Sequence, residues 1–349
     1  MFKIKVTKEI AISEQDTILS VMKKINEGNF RFQIVIKNKR LVGTITDGDI
    51  RRAILSKKNL NEKIETCMQK NPTVGYLGKE DTHKALLSTI SGTVKYLPII
   101  DNNKILKFVI IDEKKHNKKT ALIMAGGMGS RLGRKTKNTP KPLLKVGKKP
   151  ILEYLLEKLE HAQYEKVYIS THYLHKKIEN YIKKRNSKID IQILVEKEPL
   201  GTAGSINLIP KNKYDSLTVI NGDLITGINL DALNSFHYDQ ENDITITVAK
   251  YEYNIPFGLV NFDKSQNMVN ILEKPNKEEF VLSGIYCLNK NVCRLVKKKK
   301  IDMVTLIDAA HNLKKRIGVF PIHEYWKDVG NPNDFDMVNS RYSSVKDKS

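Results

Sequence analysis

The chain has 349 residues, 40% of them hydrophobic, and a formal net charge of +21 from 60 Lys and Arg against 39 Asp and Glu. That length suits two domains rather than one, and the apolar fraction can build a core, which excludes wholesale disorder. No apolar run approaches the roughly 20 residues of a membrane span, "MFKIKVTKEI" lacks a signal-peptide core, and Cys67, Cys287 and Cys293 have no metal spacing. The expectation is a reduced, cytoplasmic protein without a membrane partner.

The charge excess admits a nucleic-acid binder. Its distribution argues otherwise. Lysines are spread over the whole chain, arginine is scarce, and aromatics make up 7% without interleaving a basic stripe. The guanidinium forks and stacking platforms that read nucleic acids are missing. No specific nucleic-acid partner is expected, and a basic surface favours small anions such as nucleotides and sugar phosphates.

The first elements in chain order form a loose duplication. A short strand precedes an amphipathic helix on which Val21 and Ile25 carry helical spacing. The β-rich runs "FQIVIK" and "LVGTITD" flank the turn "NKR", and a second helix follows. The order repeats with the helix "DTHKALLSTI" and the strands "YLPIID" and "LKFVII" around "NN". At "GTITDGDIRRAI" this region resembles a tandem CBS-domain pair, a small α+β module assigned to residues 1–117. The resemblance implies an adenine nucleotide held in the cleft by Thr46, Asp47 and Asp49. Thr and Asp at a helix start also cap free amides, so a packing and dimerisation module with Thr46 and Asp49 as caps is the alternative. The second half, "KFVIIDEKK", has no Thr-x-x-Asp, which removes one of two sites. The polar stretch "IDEKKHNKKT", Ile111 to Thr120, marks the boundary.

From residue 118 to 349 strands and helices alternate. "TALIMAG", "KVYIST", "IQILVE", "SLTVING" and "ITITVAK" read as buried strands, with "ILEYLLEKLEHA" and "KKIENYIKKR" as helices between them. The pattern predicts an α/β fold with an open, mainly parallel sheet covered on both faces, and ligands beyond the carboxyl ends of its strands. The first strand empties into "AGGMGSRLGRKTKNTPKPLL". No Gly-Lys-Ser/Thr follows, so this is not a P-loop, and the glycine spacing is one residue too long for a dinucleotide fingerprint. The glycines let backbone amides approach a triphosphate, and Arg131 and Lys141 bring two cations to the same anion. Such a site suits a leaving pyrophosphate.

At Gly-Gly-x-Gly-x-Arg-Leu followed by Pro-Lys-Pro the chain resembles the sugar-1-phosphate nucleotidyltransferases. This family implies a Rossmann-like mixed sheet of the nucleotide-diphospho-sugar transferase (GT-A-like) type. It implies nucleotide contacts at Ala125, Gly126, Gly127, Gly129, Glu196, Gly201, Thr202, Ala203 and Gly222. Sugar-phosphate contacts fall at Gly258, Glu273, Lys274, Ser283 and Gly284, Mg²⁺ at Asp223 and Asp328, and catalytic charge at Arg131 and Lys141. The implied partners are a nucleoside triphosphate, a sugar 1-phosphate and further copies of the chain in a homo-oligomer. "EPLGTAG" resembles the guanylyltransferase loop, and the CBS pair in front resembles a bacterial subgroup of surface-sugar pathways. GTP with glucosamine 1-phosphate leads on that ground, ahead of another hexose 1-phosphate or of UTP, dTTP or CTP. Each residue has a plainer reading: Asp223 as a turn cap, Glu273–Lys274 as a surface pair, Ser283–Gly284 as a bulge. A non-catalytic nucleotide sensor is the rival function.

Overall fold

A computed structural model describes residues 1–5, 7, 9–113, 119–210, 214–297 and 299–343. The expected boundary stretch falls largely on residues 114–118, outside the described residues. The N-terminal part runs β1 (Phe2–Lys5), β2 (Ala11–Ser13), α1 (Ile18–Glu27), β3 (Phe32–Lys37), β4 (Arg40–Thr46), α2 (Asp47–Leu55), β5 (Gly75–Tyr76), α3 (Glu80–Thr89), β6 (Val94–Ile100) and β7 (Leu106–Glu113). Two small sheets result, ordered β2-β3-β4 and β1-β7-β6-β5. Both are built on an antiparallel pair, β3/β4 and β6/β7. Phe32, Ile34, Ile100, Leu106 and Val109 share one buried cluster, and the Phe32 and Tyr96 rings stack at 4.2 Å, so the halves close on each other.

The second part begins with β8 (Thr120–Met124), β9 (Lys145–Val146), β10 (Lys149–Pro150), α4 (Ile151–His161), β11 (Lys166–Thr171), α5 (His175–Lys184) and β12 (Asp190–Val195). It continues through α6 (Gly201–Gly204), β13 (Ser216–Asn221), β14 (Leu224–Thr226), α7 (Leu230–Asp239), β15 (Ile244–Asn254), β16 (Leu259–Phe262) and β17 (Met268–Leu272). It ends with β18 (Asn276–Asn289), α8 (Lys290–Cys293), α9 (Met303–Asn312), β19 (Ile317–Ile322), β20 (Trp326–Asp328) and α10 (Pro332–Ser343). The main sheet is ordered β12-β11-β8-β13-β18-β15-β19. It is mixed because β18 runs antiparallel to both its neighbours, while the other pairings are parallel.

Apolar spacing explains the layers. Leu152, Leu155, Leu156 and Leu159 form one stripe of α4 and pack with Ile178 and Leu233 on one face of the sheet. Ala203, Ile206, Leu306 and Ala310 cover the other face. The four parallel strands β12, β11, β8 and β13 deliver Glu196, His172, Ala125 and Gly222–Asp223 to one edge. Beyond the sheet, β15 and β18 extend as a long ribbon, and the exposed β16/β17 hairpin joins them. Among the described residues no helix is long and apolar enough to cross a membrane.

Candidate active site

The apolar strand β8 stops where glycine begins. Ala125 still bonds the Ser170 carbonyl at 2.9 Å, and the chain then turns through Gly126 to Gly129. Gly129 has φ +66°, and an added Cβ there would lie 2.9 Å from Thr136, so glycine is required by both conformation and space. The Thr136 hydroxyl closes the loop by donating to the Gly129 carbonyl at 2.9 Å. Nothing lies within 4 Å of the Cβ position of Gly127, which leaves its backbone open to a ligand.

Lys141 opens a 3₁₀ turn behind this loop and is buried. Its ammonium donates to Asp223 Oδ2 and sits 3.7 Å from Asp328 Oδ1. The two aspartates are brought together by a short antiparallel ribbon. Asp223 immediately precedes β14, Asp328 ends β20, Leu224 pairs with Asp328, and the Val329 amide bonds the Asp223 carbonyl at 3.0 Å. Gly222 holds the corner, with its amide on the Met124 carbonyl at 2.9 Å and a Cβ position only 2.7 Å from that oxygen.

One ammonium serves two carboxylates here. Asp223 Oδ1 and Asp328 Oδ1 are both buried without a hydrogen-bond partner. Burial, then the neighbouring Asp223 charge, pushes the Asp328 carboxyl above the usual aspartate range, against the pull of Lys141 and Arg131. Two unsatisfied, partly buried carboxylate oxygens are a donor set that fits a hard divalent cation. Among the described residues no cluster of three or more His, Cys, Asp or Glu surrounds them, so other ligands would come from phosphate and water. Arg131 is exposed, and its guanidinium lies beside Gly330 and Asp328.

Glu196 is buried behind the glycine loop. Its Oε2 accepts the Leu200 amide at 3.1 Å, and Oε1 faces the Cβ position of Gly126 at 3.1 Å. The His172 ring bonds the Glu196 carbonyl at 3.0 Å. Gly201, Thr202 and Ala203 form the start of α6 and are tied to the start of α9. The Thr202 hydroxyl accepts the Met303 amide at 2.8 Å, and Gly201 adopts φ +76° against Asp302.

The sugar-side residues split into two groups. Gly284, at φ +78°, packs against Asn221 two residues before Asp223, so it borders the aspartates. Ser283 is beside it, but its hydroxyl is buried and bonded to Thr247, and its carbonyl accepts the Trp326 indole at 2.8 Å. Ser283 therefore offers structure, not a free hydroxyl. Gly258, Glu273 and Lys274 meet at the base of the exposed hairpin, with Glu273 Oε2 3.3 Å from the Gly258 Cβ position and Lys274 4.0 Å from Glu273. Lys274 holds φ 43°, a strained conformation for a side-chain-bearing residue.

In the N-terminal part, Thr46 caps α2 in a capping box with Asp49, whose other oxygen pairs with Arg52. Asp47 is turned inward to Arg51 and His323. A cavity of about 420 Å³ lies between the two parts, lined among others by Arg31, Thr46, Asp49, Tyr96, Ser235 and Phe236. Arg51, His323 and Glu324, which join the two parts, carry no sequence signal. Their partners lie some 270 residues away in the chain.

A profile for the family described as nucleotidyl transferase matches residues 120–344, the span that builds this site. The chain belongs to the nucleotidyl transferase family. A CBS-domain profile matches residues 3–56 in front of it. The chain is 32% identical over 224 residues to the mannose-1-phosphate guanylyltransferase catalytic subunit beta of Drosophila pseudoobscura pseudoobscura, covering 62% of this chain and 60% of that protein. It is 34% identical over 233 residues to the bifunctional protein GlmU of Methanococcus maripaludis strain S2, covering 64% of this chain and 54% of that one. Among solved structures, HddC from Yersinia pseudotuberculosis complexed with GMP-PN superposes with a TM-score of 0.51 at 25% identity, covering 64% of this chain and 99% of HddC.

Proposed function

We propose that the protein transfers a nucleotidyl group from a nucleoside triphosphate to a sugar 1-phosphate, releasing pyrophosphate. The observation that carries this reading is the aspartate pair, bridged by Lys141, with two buried oxygens that accept no hydrogen bond, set beside the open glycine loop. A sugar-phosphate oxygen attacks the α-phosphorus, a new P–O bond forms, and the bond to the β-phosphate oxygen breaks. The nucleophile is already an anion near neutral pH, so no side chain has to remove a proton. The chain's work is positioning and charge neutralisation. The amides at Gly126, Gly127 and Gly129 and the Arg131 guanidinium hold the departing pyrophosphate, and Lys141 faces the charge that grows at the α-phosphate. Asp223 and Asp328 would hold Mg²⁺, which supplies a positive charge to the phosphate oxygens. Lys274 lies on the sugar side.

GTP with glucosamine 1-phosphate is the leading substrate pair, ahead of mannose 1-phosphate with GTP. The guanylyltransferase relative and the GMP-PN complex of HddC support the base. The N-terminal part is read as a module that takes an adenine nucleotide in the cleft between its own two halves, whose residues Thr46, Asp49 and Tyr96 line the cavity, or that serves packing and dimerisation.

A pyrophosphate-release assay in Mg²⁺ tests this by crossing GTP, UTP, CTP, dTTP and ATP with glucosamine, mannose, glucose and N-acetylglucosamine 1-phosphates. Release with GTP and one hexosamine phosphate is expected, and release with another base would overturn the guanine assignment. No release from folded protein, with or without added AMP or ADP, would favour a nucleotide sensor. A rate change on adding AMP that Thr46→Ala removes would support the regulatory site.

A further inference from the structure

Arg51 ties the N-terminal part to the segment that leads into β20 and Asp328. Arg51 is buried midway along α2. Its Nε donates to Asp47 on the same helix at 2.7 Å. Across the interface its two terminal nitrogens donate to the Pro321 carbonyl and to Glu324 Oε1, the latter at 3.3 Å, and its guanidinium lies 3.8 Å from the Phe320 ring centre. Glu324 is fixed from other directions too. Oε1 also accepts the Asn229 amide and Oε2 the His323 amide, each at 3.1 Å.

Glu324 and Asn229 flank one end of the β14/β20 ribbon, and the aspartates occupy the other. At the Glu324 end the Gly227 amide bonds the Tyr325 carbonyl at 2.6 Å, and a Cβ on Gly227 would lie 3.2 Å from Glu324 Cβ. Three residues lie between Glu324 and Asp328, a span of at most about 13 Å. The ribbon pairs only three residues on each strand, too few to be stable alone. Core packing of Leu224, Ile225 and Trp326 holds its middle, and what anchors its two ends adjusts how the aspartates face each other. The sheet holds the aspartate end through Gly222, and Glu324 with its partners holds the other.

We propose that Arg51 is a positioning residue for the two carboxylates. By fixing Glu324 it sets the separation and orientation of Asp223 and Asp328. A guanidinium suits the task because its planar fork reaches three acceptors at once, whereas an ammonium concentrates its donors at one point. Mg²⁺ tolerates little error in ligand geometry, so a displaced ribbon weakens the site. The inference rests on the metal role given to the aspartates above.

The test is a titration with Mn²⁺ alone, followed by electron paramagnetic resonance, on the full-length protein without substrates. Wild type, Asp223→Asn, Arg51→Met and Arg51→Lys are compared, with a thermal melt of each. Wild type should bind a Mn²⁺ ion that Asp223→Asn loses. Arg51→Met should weaken that binding by up to about tenfold, at the low end of what removing a group bonded directly to a metal ligand does, and Arg51→Lys should weaken it less. A merely structural role would lower the melting temperature and leave Mn²⁺ affinity of the folded protein at the wild-type value, and that result overturns the inference. If Arg51→Met does not fold, Arg51→Lys decides: weaker Mn²⁺ binding supports the positioning role and unchanged binding overturns it. If wild type and Asp223→Asn titrate alike, the metal role of the aspartates fails and takes this inference with it, a pattern distinct from failure of Arg51 alone.

Discussion

Asp223, Asp328 and Lys141 make an unbalanced trio. Two carboxylates share one ammonium, burial pushes one carboxyl upward, and two oxygens accept no hydrogen bond. Stability alone does not favour such an arrangement, because each unsatisfied buried acceptor is unfavourable. Sites that bind a cation and a polyphosphate tolerate it. Arg131 stands apart from the trio, exposed at its mouth. Its exposure makes its role separable from folding. Arg131→Ala should lower the rate of pyrophosphate release by about 10²- to 10³-fold and leave the melting temperature unchanged. Steady-state kinetics beside a thermal melt checks both, and unchanged kinetics would remove Arg131 from the mechanism.

Elements whose signals are local were legible in the sequence. The runs at Thr120–Met124, Lys166–Thr171 and Ser216–Asn221 read as buried strands because consecutive apolar residues bounded by Gly, Asn or His leave few alternatives. The leucine stripe of α4 and the caps at Thr46 were legible for the same reason. Pairings between distant segments were not. Nothing in "VLSGIYCL" says that β18 will slot antiparallel between β13 and β15 and make the sheet mixed. The ribbon that joins Asp223 to Asp328 pairs strands about a hundred residues apart, so each aspartate alone reads as an ordinary turn residue. Ser283 was placed by motif, yet its hydroxyl turns to Thr247, since alternation along β18 sends that side chain into the core.

At the scale of the whole molecule the two parts are joined by charge as well as by packing. Asp47 and Arg51 of the N-terminal part meet His323 and Glu324 of the second, in a setting where all four side chains are largely buried. Burial by itself would raise the Asp47 carboxyl, but the Arg51 charge and the His323 ring more than offset it and hold the group well below the usual aspartate range. The folded value is thus below the unfolded one of 3.8. Asp47 therefore contributes stability that is fully present above that pH and is lost as pH falls below it. Acid should loosen the join of the two parts below about pH 4. Small-angle scattering and limited proteolysis of wild type should show this, while Asp47→Asn should be weaker already at neutral pH, by on the order of 3 kcal/mol, with a shallower acid response. Equal acid slopes in the two proteins would contradict the role given to Asp47.

The account depends above all on the aspartate pair as the seat of the reaction. The most direct measurement is pyrophosphate release in Mg²⁺ by wild type and by Asp223→Asn, each with the best substrate pair from the nucleotide and sugar-phosphate grid. The expected result is a fall of at least about 10²-fold in rate, with a melting temperature close to that of wild type, since relief of the repulsion with Asp328 offsets the lost pairing with Lys141. A variant that folds and releases pyrophosphate at close to the wild-type rate would contradict the assignment of this site.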